Sequence, residues 1–494
     1  MRMKNFCILI MPIAFCGCMV GPDYKNPNDT IGIDETSFPS FACEYREWRE
    51  ARPADNLPRG EWWRIFGDAN LDKLMLDCRD KNPDLKSLFF RVEQARERAC
   101  MTESRLYPWV SGNAEYLRFQ QSENGALPVF GVNDDWLAGA SLTWDADLFG
   151  RVRSMLRAEK ANAESMLAEY ENMLLALRTH VAQTYFSLKQ FESERILLEK
   201  TVKIRREETD FVRTKVGMRV SNDIDLQRAL QQEHRTRDEL VVVKNKISLT
   251  RNLLANLLGT SSDKIKGSFG SLTSAVPDVP KSVPSDLLEC RPDIAAAERR
   301  VCAANWKIGA AQAAFFPTIT ITGALGTESS AFSKLIEAST FSWGVSPQIY
   351  IPIFQAGRLV AQKRVALAKH KEMLEDYRST VLRAIRETEN ALSNSECLKH
   401  RFCESSSAAA AAKKVELYAS EQYEAGLIDY FAASESHRHA LEAELACIRI
   451  RGEQFRNCVA LIKSLGGNWR NPREYESDGK ILSVAGDSVK IALP

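Results

Sequence analysis

The side chains best suited to chemistry are dispersed along this chain. The six histidines (His180, His234, His370, His400, His437 and His439) all fall in stretches with helical periodicity. His437 and His439 are two apart, so they do not share a helix face. No H-E-x-x-H, P-loop or G-x-S-x-G occurs. There are 12 Cys but no C-x-x-C, so a zinc or thioredoxin-like site has no support. Cys397 and Cys403, six apart on one expected helix, are about 9 Å apart along its axis, too far for a disulfide. The chain reads as a non-enzyme with no metal and no cofactor. With 66 Lys+Arg against 65 Asp+Glu, it lacks the basic excess of a nucleic-acid binder.

One cysteine does carry a chemical reading. Arg2 and Lys4 precede a mostly apolar run from Phe6 to Phe15, too short to span a membrane, which reads as an export signal over residues 1–17. The run ends Phe15-Cys16-Gly17-Cys18, similar to a bacterial lipoprotein signal in which Cys18 is acylated. Phe15 stands where such signals usually carry Leu. Met19 rather than Asp after the cysteine implies outer-membrane sorting. No later segment is apolar over about 18 residues, so any membrane crossing is not helical.

The elements that position everything else occur twice. Asn82-Pro-Asp-Leu85 recurs as Arg291-Pro-Asp-Ile294, and Leu106-Tyr-Pro108 as Phe315-Phe-Pro317, each 209 residues on. Gly150-Arg151 recurs as Gly357-Arg358, Gly217 as Gly426, and Leu258-Gly259 as Leu465-Gly466, at 207 or 209. An internal repeat means one structural unit used twice, here as two modules side by side. Proline is absent between Pro128 and Pro277 and between Pro352 and Pro472, while Gly punctuates both stretches, the signature of long helices. Leu167, Tyr170, Leu174, Leu177 and Val181 form a coiled-coil seam. Leu374, Tyr377, Val381, Ala384 and Thr388 repeat it in a narrower form. As single helices, 151–216 and 221–258 would be about 99 Å and about 57 Å long. A soluble coiled coil satisfies this pattern too.

The segments before the rods alternate instead. Trp136, Ala138, Ala140, Leu142 and Trp144 interleave with Leu137, Gly139, Ser141, Thr143 and Asp145, giving a strand with an indole at each end of its apolar face. Its nine residues approach the length of a tilted membrane strand with Trp at both interfaces. A weaker strand runs from Trp109 to Gln121, with Asn124-Gly125 in the connecting loop. Thr318, Thr320 and Thr322 alternate with Ile319, Ile321 and Gly323. Trp343, Val345, Pro347, Ile349 and Ile351 alternate with Gly344, Ser346, Gln348 and Tyr350. Four strands cannot close a barrel, and open edges are not tolerated in lipid. A membrane reading therefore forces oligomerisation, with about 8, 12 or 16 strands in a dimer, trimer or tetramer. The small polar inner face suggests a water-filled lumen and more than eight strands.

These residues resemble the TolC-like outer-membrane factor family, in its lipoprotein branch serving resistance-nodulation-division efflux pumps. The likeness covers nearly the whole mature chain. It rests on Cys18-Met-Val-Gly-Pro-Asp-Tyr-Lys-Asn-Pro27, Trp62-Trp63 with Phe66-Gly-Asp and Leu71, and Arg291-Pro-Asp-Ile-Ala-Ala-Ala-Glu298. Ala303-Ala-Asn305, Ile308-Gly309, Ala314-Phe-Phe-Pro317, Tyr423-Glu-Ala-Gly426 and Leu465-Gly-Gly-Asn-Trp469 complete it. The resemblance implies a membrane β-barrel joined to a long α-helical coiled-coil barrel. Two tandem repeats and four barrel strands per chain would build an obligate trimer with a 12-stranded barrel and an α-helical periplasmic tunnel. It implies an exit duct of a tripartite efflux pump that passively exports small molecules such as drugs. Its partners would be two further copies, a periplasmic adaptor, an inner-membrane resistance-nodulation-division transporter and outer-membrane lipid. The alternatives are a type I protein-secretion duct and a structural periplasmic coiled coil.

The expected divisions are a signal peptide at 1–17, a lipidated extended segment at 18–60, a first repeat at 61–276, a Pro-rich linker at 277–290, a second repeat at 291–469 and a tail at 470–494. Strands are expected near 109–121, 135–145, 317–327 and 341–352. Helices are expected near 151–216, 221–258, 358–425 and 430–465. Trp136, Trp144 and Trp343 are the expected barrel-interface aromatics. The family closes its tunnel with acidic side chains at the periplasmic tip. The matching position here is Glu435, twelve after Tyr423, where members usually carry Asp, and a second acidic position falls on Ala432. Three copies of Glu435 facing one another would repel and raise their pKa values. Asp429, Arg219, Asp223 and Asp225 are the other tip candidates, with Arg219 expected to bridge to an acid of the second repeat.

Overall fold

The computed structural model describes residues 19–24, 61–120, 131–265, 269–272, 275–277 and 290–467. Cys18, Asn124-Gly125, Pro280, Pro284 and Trp469 lie outside them, as do the signal segment and the C-terminal tail. The helices are α1 (Ala69–Lys81), α2 (Pro83–Glu103), α3 (Arg151–Gly217), α4 (Asp223–Leu257), α5 (Pro292–Ala313), α6 (Arg358–Glu424) and α7 (Tyr430–Ser464). The strands are β1 (Trp109–Gln120), β2 (Val132–Ala146), β3 (Thr318–Ser329) and β4 (Phe341–Tyr350). Among the described residues no helix is long and apolar enough to cross a membrane. No disulfide joins the described cysteines, and Cys397 and Cys403 are exposed thiols.

Two compact units form, and each draws on both halves of the chain. The repeats are therefore interleaved rather than laid out as separate modules. One unit holds Arg91–Leu167, Ala296–Arg378 and the described N-terminal residues. Its sheet is an antiparallel meander in the order β1-β2-β3-β4. Residues directly opposite in an antiparallel ladder share a face, so the register sorts the side chains. Val110, Leu142, Gly323 and Val345 lie in one row, with Ala140, Leu325 and Trp343 in the next. Trp144, Ile321 and Pro347 continue this apolar face. The opposite face carries Ser111, Ser141, Ala324 and Gly344, then Thr143, Thr322 and Ser346, then Asp145, Thr320 and Gln348. Its hydroxyls are used: Ser111 and Ser141 hydrogen-bond at 2.9 Å, and Thr320 donates to Asp145 at 2.7 Å.

Gly139 faces Gly326 across the ladder, and a Cβ on either would meet the neighbouring strand's backbone at 2.6 or 2.7 Å. Only glycine permits so close an approach. Trp136 packs on Tyr116 (centroids 4.2 Å) and edge-on to Phe332 (4.9 Å). Trp144 donates its indole N–H to the Leu106 carbonyl at 3.0 Å. Trp343 is level with Ala140, between the rows of the other two indoles. Among the described residues β1 and β4 each have one neighbour, so the sheet ends in two bare edges.

The described N-terminal residues lie in this unit against α5. The Val20 N–H donates to the Phe149 carbonyl at 3.3 Å, and Asn305 donates to the Pro22 carbonyl at 3.3 Å. A Cβ on Gly21 would be 2.8 Å from the Gly309 Cα, so the two backbones touch. Tyr24 donates its hydroxyl to Glu298.

The second unit holds the largest core. Trp62, Trp63 and Phe66 are buried with Phe186 and Phe455, whose rings stack at 4.7 Å. Gly67 turns the chain with φ 59°, and Asp68 then caps α1 by accepting from the Asn70 N–H at 3.0 Å. The same carboxylate takes the Tyr185 hydroxyl at 2.6 Å and the Lys189 ammonium at 2.9 Å. The Trp-Trp and Phe-Gly-Asp block is thus a plug locked to α3.

The repeated x-Pro-Asp motif acquires a physical meaning here. Asn82 accepts from the Leu85 N–H at 2.9 Å and donates to the Leu257 carbonyl at 2.9 Å. Arg291, 4% exposed, donates to the Ser464 carbonyl at 3.0 Å and pairs with Asp293 (2.7 Å) and Glu387 (2.9 Å). In each repeat the residue before proline satisfies an orphan carbonyl at the end of the second hairpin helix. Gly259 and Gly466, both with positive φ, let that end press on the Lys81 and Cys290 carbonyls, which a Cβ would meet at 2.4 and 2.9 Å.

Candidate functional site

The candidate site lies where α3 turns into α4 and α6 into α7. Both turns close helices in the same way, with paired hydrogen bonds from the residues beyond the last helical turn. Val220 N–H reaches Lys215 O at 2.9 Å and Arg219 N–H reaches Val216 O at 2.9 Å. In the second repeat, Leu427 N–H reaches Gln422 O at 2.8 Å and Gly426 N–H reaches Tyr423 O at 3.1 Å. The left-handed residue is Gly426 (φ 75°) in one turn and Arg219 (φ 61°) in the other. The counterpart of Gly426 is therefore Arg219, 207 residues earlier. This corrects the pairing with Gly217, which is still inside α3.

The tip acids divide by role. Asn222 and Asp429 are matched N-caps, accepting from the Asp225 and Ala432 N–H groups at 3.0 Å each. Asp223 lies in the first turn of α4, favourable to the helix dipole. Asp225 accepts the Ser221 hydroxyl at 2.9 Å. Arg219 makes no ion pair with an acid of the second repeat among the described residues; its left-handed backbone is set by the turn. Glu435 bonds to Arg438 at 2.6 Å on its own helix. That guanidinium holds the Glu435 carboxyl below the usual range. Within one chain the expected upward shift is absent, because Arg438 supplies the opposite charge.

Beneath these residues is a small core of Val212, Ala229 and Tyr430, flanked by Val216, Leu226 and Tyr423. Tyr423, the aromatic of the Tyr-x-x-Gly motif, meets Tyr430 edge-on (5.9 Å), and the Lys215 ammonium sits 4.5 Å from its ring centre. Arg228 lies over Phe431 at 5.0 Å, tying α4 to α7.

A charged layer follows that sequence reading missed. Arg205, 3% exposed, pairs with Glu208 at 3.0 Å and reaches the Ser434 hydroxyl at 3.4 Å. His437 stands between two carboxylates, Nε2 at 3.3 Å from Glu208 and Nδ1 at 2.8 Å from Glu416. The His437 hydrogen bond and charge hold the Glu416 carboxyl low. Only the spacing of Arg205 and Glu208 on one helix face was readable beforehand. Their meeting with Glu416 and His437 depends on the relative register of three helices.

The profile described as "Outer membrane efflux protein" matches residues 75–260 and 283–467. The cation efflux system protein CusC of Escherichia coli O6:H1 is 27% identical over 479 residues, 95% of this chain and 99% of its own length. The toluene efflux pump outer membrane protein TtgF of Pseudomonas putida is 26% identical over 474 residues, 94% of this chain and 97% of its own. The open-state structure of the Neisseria gonorrhoeae MtrE outer membrane channel superposes with a TM-score of 0.77 at 26% identity, covering 92% of this chain and 99% of that one. Together with the four-stranded sheet and paired helical hairpins, these matches show that the chain belongs to the outer membrane efflux protein family.

Proposed function

We propose that this chain is the outer-membrane exit duct of a tripartite efflux pump, passively passing small molecules from an inner-membrane transporter to the exterior. The observation that carries this is the sheet: one apolar face, one hydroxyl-rich face and two bare edges. A row of unpaired backbone groups cannot remain in lipid, so the sheet must be completed by other copies. Three chains would supply twelve strands, with the polar faces lining a water-filled lumen and Trp136, Trp144 and Trp343 on the lipid side. In this reading the helical hairpins enclose a periplasmic tunnel and meet a periplasmic adaptor, and Cys18 carries a lipid that anchors the chain to the outer membrane. In this reading the energy comes from a resistance-nodulation-division transporter. The names of CusC and TtgF support cargo of small-molecule or ionic size.

Glu435, with Asp429, Arg219, Asp223 and Asp225 around it, is the proposed periplasmic constriction. A ring of carboxylates favours cations, and Arg438 tempers that charge in each chain. Single-channel conductance of the purified protein in planar bilayers tests both ideas. A mostly closed pore that opens in Glu435→Ala supports duct and gate. Equal opening in both removes the gate, and a folded oligomer without channels removes the duct.

A further inference from the structure

We propose that Glu208, His437 and Glu416 form a proton-dependent clasp that ties α3, α6 and α7 together and tightens on acidification. The geometry is specific. His437 directs opposite ring nitrogens at carboxylates from two different helices, at 3.3 Å (Glu208, α3) and 2.8 Å (Glu416, α6). The ring is 18% exposed and the acids 20% and 30%, so water competes only in part. The two carboxylates meet opposite nitrogens of the ring instead of converging on one point, which suits a bridging cation and not a metal ligand set.

A neutral imidazole has one N–H and one lone pair. It satisfies one carboxylate and turns its lone pair toward the other. A protonated ring donates to both, and charge-assisted hydrogen bonds are roughly twice as strong as neutral ones. Imidazoles change charge between about pH 5 and 8. The Glu416 carboxylate stays ionised across that interval. Glu416 is held low by the ring itself, and Glu208 shares its second oxygen with Arg205.

Other charged groups flank the ring on each of the three helices. From α3 these are Arg205 and Glu208. From α6 they are Lys413 and Glu416, with Lys413 occupied by Glu444 of α7 at 3.3 Å. On α7, Glu435 pairs with Arg438, and His439, its side chain 62% exposed, lies 3.8 Å from Glu435 and 3.9 Å from Glu442. Tyr423 and Tyr430 face Glu208 with phenols raised further above neutrality by burial and that acid. His437 is the imidazole in this layer that bridges carboxylates of two other helices. α3 belongs to the first hairpin and α6 and α7 to the second, so the clasp sets how firmly the two hairpins of one chain adhere.

The test is hydrogen exchange of the full-length protein in detergent, read on peptides from 410–424 and 430–440 at about pH 5.5 and 8 and corrected for intrinsic exchange. Losing one charge-assisted bond corresponds to about a tenfold change in protection. Wild type should show about tenfold greater protection at the acid pH. His437→Gln, which can donate one hydrogen bond but never carries charge, should fold and show protection independent of pH. Glu416→Gln should reduce the wild-type ratio without abolishing it. Equal protection at both pH values in wild type, or the full ratio retained in His437→Gln, overturns the clasp. Because exchange is measured and not conductance, the result stands apart from the duct reading.

Discussion

Removing the Asp68 carboxylate attacks the plug that joins the N-terminal block to α3. The side chain performs three tasks at once: it caps α1, accepts the Tyr185 hydroxyl at 2.6 Å and neutralises Lys189 at 2.9 Å. Asp68 and Lys189 are 15% and 10% exposed at their side chains, so the ammonium left behind has little access to water. A lost N-cap costs about 1 kcal/mol, and breaking a buried ion pair on one side costs about 3–5 kcal/mol. These are not additive, so about 3–5 kcal/mol is expected for Asp68→Ala. Asp68→Asn keeps the cap and loses the charge, and should cost less. The pH dependence has a definite sign. Burial pushes the Asp68 carboxyl up, but the Tyr185 and Lys189 hydrogen bonds outweigh it and leave it below the usual range. Stability from a depressed carboxylate is present above its unfolded value of about 3.9 and lost as pH falls through the folded value. The gap between wild type and Asp68→Asn should therefore be full at pH 7 and close in acid below about pH 4. Urea unfolding followed by tryptophan fluorescence suits this, since Trp62 and Trp63 are buried beside the lock. An Asn variant as stable as wild type at neutral pH, or a gap that widens in acid, would refute the reasoning.

Arg291→Met should destabilise by about 3–5 kcal/mol, because Asp293, Glu387 and the Ser464 carbonyl lose their cation. Its repeat counterpart Asn82→Ala should cost about 1–2 kcal/mol, and denaturant titration of the pair checks the order. Gly466→Ala places a Cβ 2.9 Å from the Cys290 carbonyl at a φ of 76°, and should cost about 1–3 kcal/mol in the same titration. Gly139→Val pushes β2 and β3 apart, and should reduce the yield of heat-resistant oligomer on unheated gels while leaving helical circular dichroism intact.

Much of the architecture was legible because it is periodic. The alternation from Trp136 to Trp144 appears in β2 with its apolar members on one face, and the same rule sorts Thr318–Gly323 in β3. The x-Pro-Asp repeat was visible as a spacing, but its purpose was not. Asn82 and Arg291 do the same task with different chemistry, which appears only once the carbonyls of Leu257 and Ser464 are in place. The tip was misaligned for a simple reason. The repeat distance is 209 up to Pro108 and Pro317 and 207 from Gly150 and Gly357 onward, so matching Gly to Gly at the tip carried the earlier distance too far. The His437 layer has no periodic signature. Its members are scattered from residue 205 to residue 437 and meet through helix packing alone.

The bare edges of β1 and β4 have a kinetic corollary. A single chain has no resting place in hydrocarbon, because its own sheet leaves two rows of amides and carbonyls unpaired. In the proposed duct, entry into the bilayer and closure around other copies must then be one event. Its rate should rise more steeply than the first power of protein concentration, and dilution should strand chains that keep native helix content but stay extractable by carbonate. Expression level would thereby act as a threshold: below it chains accumulate outside the membrane, and above it insertion outpaces their degradation.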